Sequence, residues 1–225
     1  MYRTLAGLCL VVSCVSTAIA APTVTLYGTA QISPTADPAR PFVFDVASAQ
    51  NPFTAGAVGF TPSSPLTFGA ITQLSADYNA QLGQFGGGSP RFSIGLDVNN
   101  NNSIDGFAFI YFGTHPNFND APPLNTWLNT GNLRNAVSVD TSQLPGGAFY
   151  DFNAFTNFAA ANVLDIYLVV DGGWNGSDRF FFDNIRINND LITGASLVPE
   201  PASIGVWSVL GLAGVAYRWR RKRAT

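Results

Sequence analysis

From residue 22 to residue 197 the chain changes between apolar and polar positions in short runs, broken by Gly, Pro, Asn and Ser. Side chains alternate faces along a strand, so a period near two predicts β-structure where a helix would repeat near 3.6. Val24–Ile32 (VTLYGTAQI) is rich in β-branched residues and predicts a strand, with a Pro-containing turn over Ser33–Pro41. Phe42–Val46 (FVFDV) predicts a second strand, and Asn51–Pro65, full of Gly, Pro, Ser and Thr, predicts a loop. Leu66–Leu82 alternates well enough for one long strand or two, with Leu66, Phe68, Ala70, Thr72, Leu74, Ala76 and Tyr78 on one face; Gly86–Gly88 ends it. Phe92–Val98 and Phe107–Phe112 flank the polar loop Asn99–Gly106. The second of these, FAFIYF, is apolar at nearly every position, as expected of a central strand covered on both faces. Gly113–Asn135 predicts an irregular passage, Val137–Asp140 a short strand, and Asp151–Ala161 the one helix. Leu164–Val170 (LDIYLVV) and Arg179–Ile187 (RFFFDNIRI) are the clearest strands, joined by the Gly-rich loop Asp171–Asp178. Eight or so strands with almost no helix predict an all-β antiparallel β-sandwich.

The two ends follow other rules. The amino terminus has Arg3, an apolar run Leu5–Val15 and the A-x-A site Ala18-Ile19-Ala20, which predicts a secretory signal peptide over residues 1–20. Val11-Val12-Ser13-Cys14 also loosely matches a lipoprotein box. The carboxyl end, 198–225, opens on Pro199-Glu200-Pro201, where two prolines stop helix and strand alike. An uncharged run, Ser203–Tyr217, follows, and then Arg218, Arg220, Arg221, Lys222 and Arg223. At about 1.5 Å per residue the run only just spans a hydrocarbon core of roughly 30 Å, with Trp207, Tyr217 and Trp219 as interfacial anchors. The basic cluster stays on the cytoplasmic side, which puts everything before Pro199 outside. The domain plan is therefore a leader (1–20), one β-sandwich body (21–197) and a membrane-anchoring tail (198–225) with a single transmembrane helix.

The Pro-Glu-Pro motif, the short span and the terminal Arg cluster, in that order, resemble the PEP-CTERM sorting signal of Gram-negative bacteria. The resemblance covers only residues 198–225, where an ordinary tail anchor with a Pro-rich hinge is the rival. It implies processing by a membrane-embedded exosortase, export to the cell surface or matrix, and a link to exopolysaccharide and biofilm. Within the body, VVDGGW at 169–174 and FFFDNIRIN at 180–188 look like the closing hairpin of carbohydrate-binding jelly rolls, which implies a jelly-roll sandwich with those two strands paired. Such folds host many functions, so the site must decide the activity.

Cys9 and Cys14 both fall in the leader, so the exported body has no thiol for disulfides, metal binding or nucleophilic catalysis. The body holds five Arg against thirteen Asp, with no Lys and no Glu, a formal charge of −8. That balance gives no electrostatic footprint for nucleic acid and points to neutral glycans, cations or proteins as partners. The sharpest local motif is Asp97, Asn99, Asn101, Ser103 and Asp105, oxygen side chains at alternate positions of one loop. Alternate oxygens can turn inward around a hard cation, and the spacing resembles the start of EF-hand and dockerin-type calcium loops. Asn102 stands where those loops have Gly and Ala108 where they have a bidentate Glu, so an Asn-rich turn satisfying its own backbone is the competing reading. Trp127 and Trp174, both in predicted loops, are candidate platforms for a pyranose ring, or lids packed over the core. The single histidine, His115, precedes Pro116 in a loop. There is no nucleophile elbow, zinc-protease motif or phosphate loop, and Asp165, Asp171, Asp178 and Asp183 look like turn and edge residues. The expectation is a noncatalytic surface or matrix protein that binds extracellular polysaccharide; a purely structural adhesin and a carbohydrate-active enzyme are the alternatives.

Overall fold

A computed structural model describes residues 22–135, 138–171 and 176–198, together with the single position Leu212. The leader, Trp174, Pro199, Glu200, Pro201 and the cluster Arg218, Arg220, Arg221, Lys222 and Arg223 lie outside the described residues. Among the described residues no helix is long and apolar enough to cross a membrane.

The body is all-β: twelve strands form one curled antiparallel sheet that closes on a shared core. One half carries β1 (Thr23–Gly28), β4 (Phe53–Thr61), β10 (Asn162–Asp171), β7 (Arg91–Asp97) and β8 (Gly106–Tyr111) side by side, with β5 (Leu66–Thr67) also on β10. The other carries β2 (Gln31–Pro34), β3 (Phe42–Gln50), β11 (Asp178–Ile187), β6 (Leu74–Leu82) and β9 (Trp127–Asn129), with β12 (Asp190–Ile192) on β11. The halves join where β3 and β4 pair at Ala49–Thr54 and Gln50–Phe53. Between them lie Phe44, Phe60, Phe68, Phe92, Phe180 and Phe182, all fully buried. At about 25 cal/mol per Å2, rings of this size supply most of the drive to fold.

Strand β10 shows why the alternation was legible: Val163, Ile166, Leu168 and Val170 face the core, and Leu164, Tyr167 and Val169 stand between them half-exposed. Other expectations need correction. Val24–Ile32 is two strands, because the chain turns at Gly28, at φ +59°, and crosses from one half of the sheet to the other. Asn51–Pro65 is largely strand β4; its small residues signal a close approach rather than a loop, since a Cβ on Gly59 would come within 2.8 Å of the Tyr27 ring and 3.2 Å of Tyr167. Leu66–Leu82 is β5, a 3-10 turn at Phe68–Ala70 and then β6, so its first half shares no strand face with Tyr78. FAFIYF is an edge strand whose inner face is Ala108 and Ile110, and whose outer face is the half-exposed row Phe107, Phe109 and Tyr111. The predicted helix shrinks to Ala154–Asn157, whose Phe155 stacks on Phe68 at 4.3 Å. Strands β10 and β11 do not form a hairpin; each lies in its own half of the sheet, β10 between β4 and β7 and β11 between β3 and β6.

Candidate functional site

Strand β8 ends at Tyr111, and the chain then doubles back through a loop whose peptide carbonyl Thr114 accepts the amide of Phe118 at 2.8 Å. Phe118 has φ +53°, a conformation costly for a bulky side chain, and a buried ring. Gly113 makes room for this turn, since a Cβ there would lie 2.2 Å from the Phe118 carbonyl oxygen. Some thirty positions later the run Phe149-Tyr150 returns to the same place. Phe118 meets Tyr111 at 4.4 Å between ring centres, Tyr150 at 6.0 Å and Phe149 at 6.2 Å, and His115 stands edge-on to Tyr150 at 4.8 Å. The Tyr150 hydroxyl donates to the Pro116 carbonyl at 3.0 Å and pins the two segments together.

Tyr111, Pro116, Phe118, Phe149 and Tyr150, with Gly87, Gly88, Asn117 and Asn119, line an open groove of about 510 Å3. Phe149 and Tyr150 are 47% and 40% exposed, so both rings present apolar surface to a ligand. Burial, and then the hydrogen bond it donates to Asp140 at 2.7 Å, push the Tyr111 phenol up, so it remains a proton donor to that carboxylate. A second cavity of about 200 Å3 shares Tyr111 and Phe118 with the groove and reaches His115 and Ser138. The Ser138 hydroxyl is buried and has no partner among the described residues, an unmet polar group beside the groove. Rings that stack, amides that exchange hydrogen bonds and no carboxylate in the groove lining suit a neutral, hydroxyl-rich ligand.

The residues singled out from sequence fall elsewhere. Trp127 lies in strand β9, paired with Asn79, not in a loop. The Arg40 guanidinium sits 4.5 Å from its ring centre, so that face is already occupied. Arg40 is held in turn by Asp77 at 2.8 Å, and Asp77 also accepts from Asn129 and Asn184. In the loop after β7, Asp97 is buried and its carboxylate accepts the amides of Asn101 at 3.1 Å and Asn102 at 2.8 Å. Burial pushes its pKa up, but the backbone amides from Asn102 back to Asn99 outweigh that and hold the carboxyl below its usual range. Asp105 accepts from the Val98 amide and from Asn99, and the Asn101 side chain accepts from Ser103. The five residues are thus brought together, with the carboxylates of Asp97 and Asp105 and the side-chain oxygen of Asn101 committed to the loop itself. Among the described residues no group of three or more His, Cys, Asp or Glu is arranged to hold a metal.

Asp178 and Asp183 are not turn or edge residues: both are buried within β11. Asp183 pairs in register with Asp77 across β6, and burial raises the pKa of Asp183 while that of Asp77 is lowered. Two carboxyls pushed apart in this way are what acid–base catalysis needs. Here the Asp183 side chain is only 5% exposed and accepts from the Gly194 amide, and every Asp77 oxygen is engaged, so neither faces a substrate. The chain matches no family model, no curated protein and no solved structure.

Proposed function

We propose that the chain is an exported, noncatalytic protein of the cell surface or biofilm matrix that binds a neutral extracellular polysaccharide in the Tyr111–Phe118–Phe149–Tyr150 groove. In this reading residues 1–20 are a signal peptide, the body is a sandwich of jelly-roll kind, and the tail 198–225 is a PEP-CTERM signal with one membrane helix, processed by an exosortase. The observation that carries the binding role is the groove itself, with aromatic rings, two asparagine amides and no carboxylate along its lining. The test is retention of the purified full chain on the exopolysaccharide of the organism that makes it. Tyr150→Ala and Phe149→Ala are expected to lose most of that retention, since stacking on one ring contributes about 1 kcal/mol and its neighbour orients it. Equal retention of both variants removes the groove from the reading and leaves a purely structural or adhesive surface protein.

A further inference from the structure

Strand β1 is an open edge. Among the described residues it pairs only with β4, from Thr23–Thr61 to Gly28–Gly56, and its other side carries unpaired backbone donors and acceptors. Five of its six residues are exposed, Leu26 at 37% and Tyr27 at 47%. Proteins guard such edges with charge, proline or a bulge, and TVTLYG has none of these. The opposite edge of the same half is treated differently, because Phe109 of β8 exchanges both backbone hydrogen bonds with Asp140.

We propose that β1 pairs antiparallel with β1 of a second copy of this chain about a two-fold axis at Thr25, joining two sheets edge to edge. The sequence fits itself in that register. Val24 and Leu26, on the core-side face that carries Val58 and Phe60 in β4, stand opposite Leu26 and Val24 of the second copy. Thr25 meets Thr25, and Thr23 meets Tyr27, on the outer face, so apolar faces apolar and hydroxyl faces hydroxyl. The strand carries no charge on a body of −8, so it is a place where two acidic molecules can touch without setting like charges opposite one another. A foreign strand would have to supply this match; a second copy has it by symmetry. Pairing of five residues a side, Thr23 to Tyr27, is a small interface, so the dimer is weak and becomes effective where copies are concentrated, as in a matrix.

Cysteine cross-linking of the full chain reads the register directly. Directly opposed residues lie about 5 Å apart, within reach of a disulfide, whereas Thr23 and its own copy lie more than about 12 Å apart. Thr25→Cys is expected to give a dimer on non-reducing gels after mild oxidation, over the background of the unsubstituted chain with Cys9 and Cys14. Thr23→Cys alone is expected to give none, and Thr23→Cys with Tyr27→Cys restores it. Leu26→Lys, added to Thr25→Cys, is expected to abolish the link, and raising the salt concentration to strengthen it in the parent by screening the two acidic bodies. No link from Thr25→Cys, or equal links from Thr25→Cys and Thr23→Cys, overturns the proposal. Polysaccharide retention is read separately and does not depend on this outcome.

Discussion

Asp45 shows how a charge can be kept inside the outer layer of this sheet. It is 2% exposed, and Arg179 grips it with two donors at 2.9 and 2.6 Å while Gln31 and Ser33 donate at 3.0 and 2.9 Å. Burial works against the charged form, but the hydrogen bonds from Arg179, Gln31 and Ser33 and the Arg179 charge outweigh it and lower the pKa. A depressed carboxyl adds stability above its unfolded value of 3.8 and loses it as pH falls through the folded value, so this network fails on the acid side. Asp45→Ala strands the guanidinium and two polar side chains and is expected to cost about 3 kcal/mol in denaturant unfolding at pH 7. Asp178 behaves in the opposite sense. Burial raises its pKa, the Gln84 amide only partly offsets that, and the nearby Asp171 adds to it. Its favourable contribution is complete below 3.8 and is lost as pH rises through the folded value. Asp178→Asn is therefore expected to melt higher than the parent at pH 7 and to match it below pH 3.8; a lower melting temperature at pH 7 would contradict the burial argument. The burial of Asp183 in the same strand was not legible from the chain, because RFFFDNIRI changes face partway. The core takes Phe180 and Phe182, then Ile185 and Ile187, with the register shift and the Asn184 φ of +47° between them, and a period of two cannot see a bulge.

At the scale of elements, strands declared themselves where the alternation runs unbroken, as in β10 from Ile166 to Val170 and in β11 from Phe180 to Phe182. They hid where small residues serve a close approach, as in β4, whose Gly59 lies beneath Tyr27 and Tyr167. Pairing was hidden too: β10 and β11 follow one another in sequence, yet the chain crosses between the two halves of the sheet, a choice made by long-range packing. The groove was legible only in part. Phe149, Tyr150 and Phe152 form a visible aromatic run, but what gives it meaning is the loop 113–120, which only the fold brings beside it. That loop is also the weak point of the site. A methyl on Gly113 would lie 2.2 Å from the Phe118 carbonyl oxygen and 2.4 Å from its carbon, and backbone cannot step aside as a flexible side chain can. Gly113→Ala is expected to cost about 1–3 kcal/mol, in line with overpacking elsewhere, and to change the near-ultraviolet circular dichroism as Phe118 leaves Tyr111. An unchanged aromatic spectrum would mean that the groove tolerates a different loop path.

For the whole molecule, the division of labour between body and tail makes its own prediction. Among the described residues the sheet ends with β12, and the last inward-facing position is Gly194, where a Cβ would come within 2.5 Å of the Phe42 carbonyl oxygen. Leu197 is already 39% exposed, so among the described residues the core closes before the tail begins. The tail, by contrast, has an uncharged run between Pro201 and Arg218 and a terminal basic cluster, the pattern on which the proposed membrane anchor rests. Ending the chain after Val198 should therefore leave the fold intact and change only its address. The two forms are expected to share a melting temperature within a few degrees, because the buried apolar cluster of the described residues ends at Ile192. In a host without an exosortase, the full chain is expected in the membrane fraction and the shortened chain in the soluble exported fraction. Replacing Arg218, Arg220, Arg221, Lys222 and Arg223 by neutral residues should loosen the retention without touching the melt, since only the positive-inside term is lost. A shortened chain that melts much lower would show that the tail packs on the body, and one that stays with the membrane would place the anchor elsewhere. Either result would undo the separation of fold from address on which the sorting reading depends.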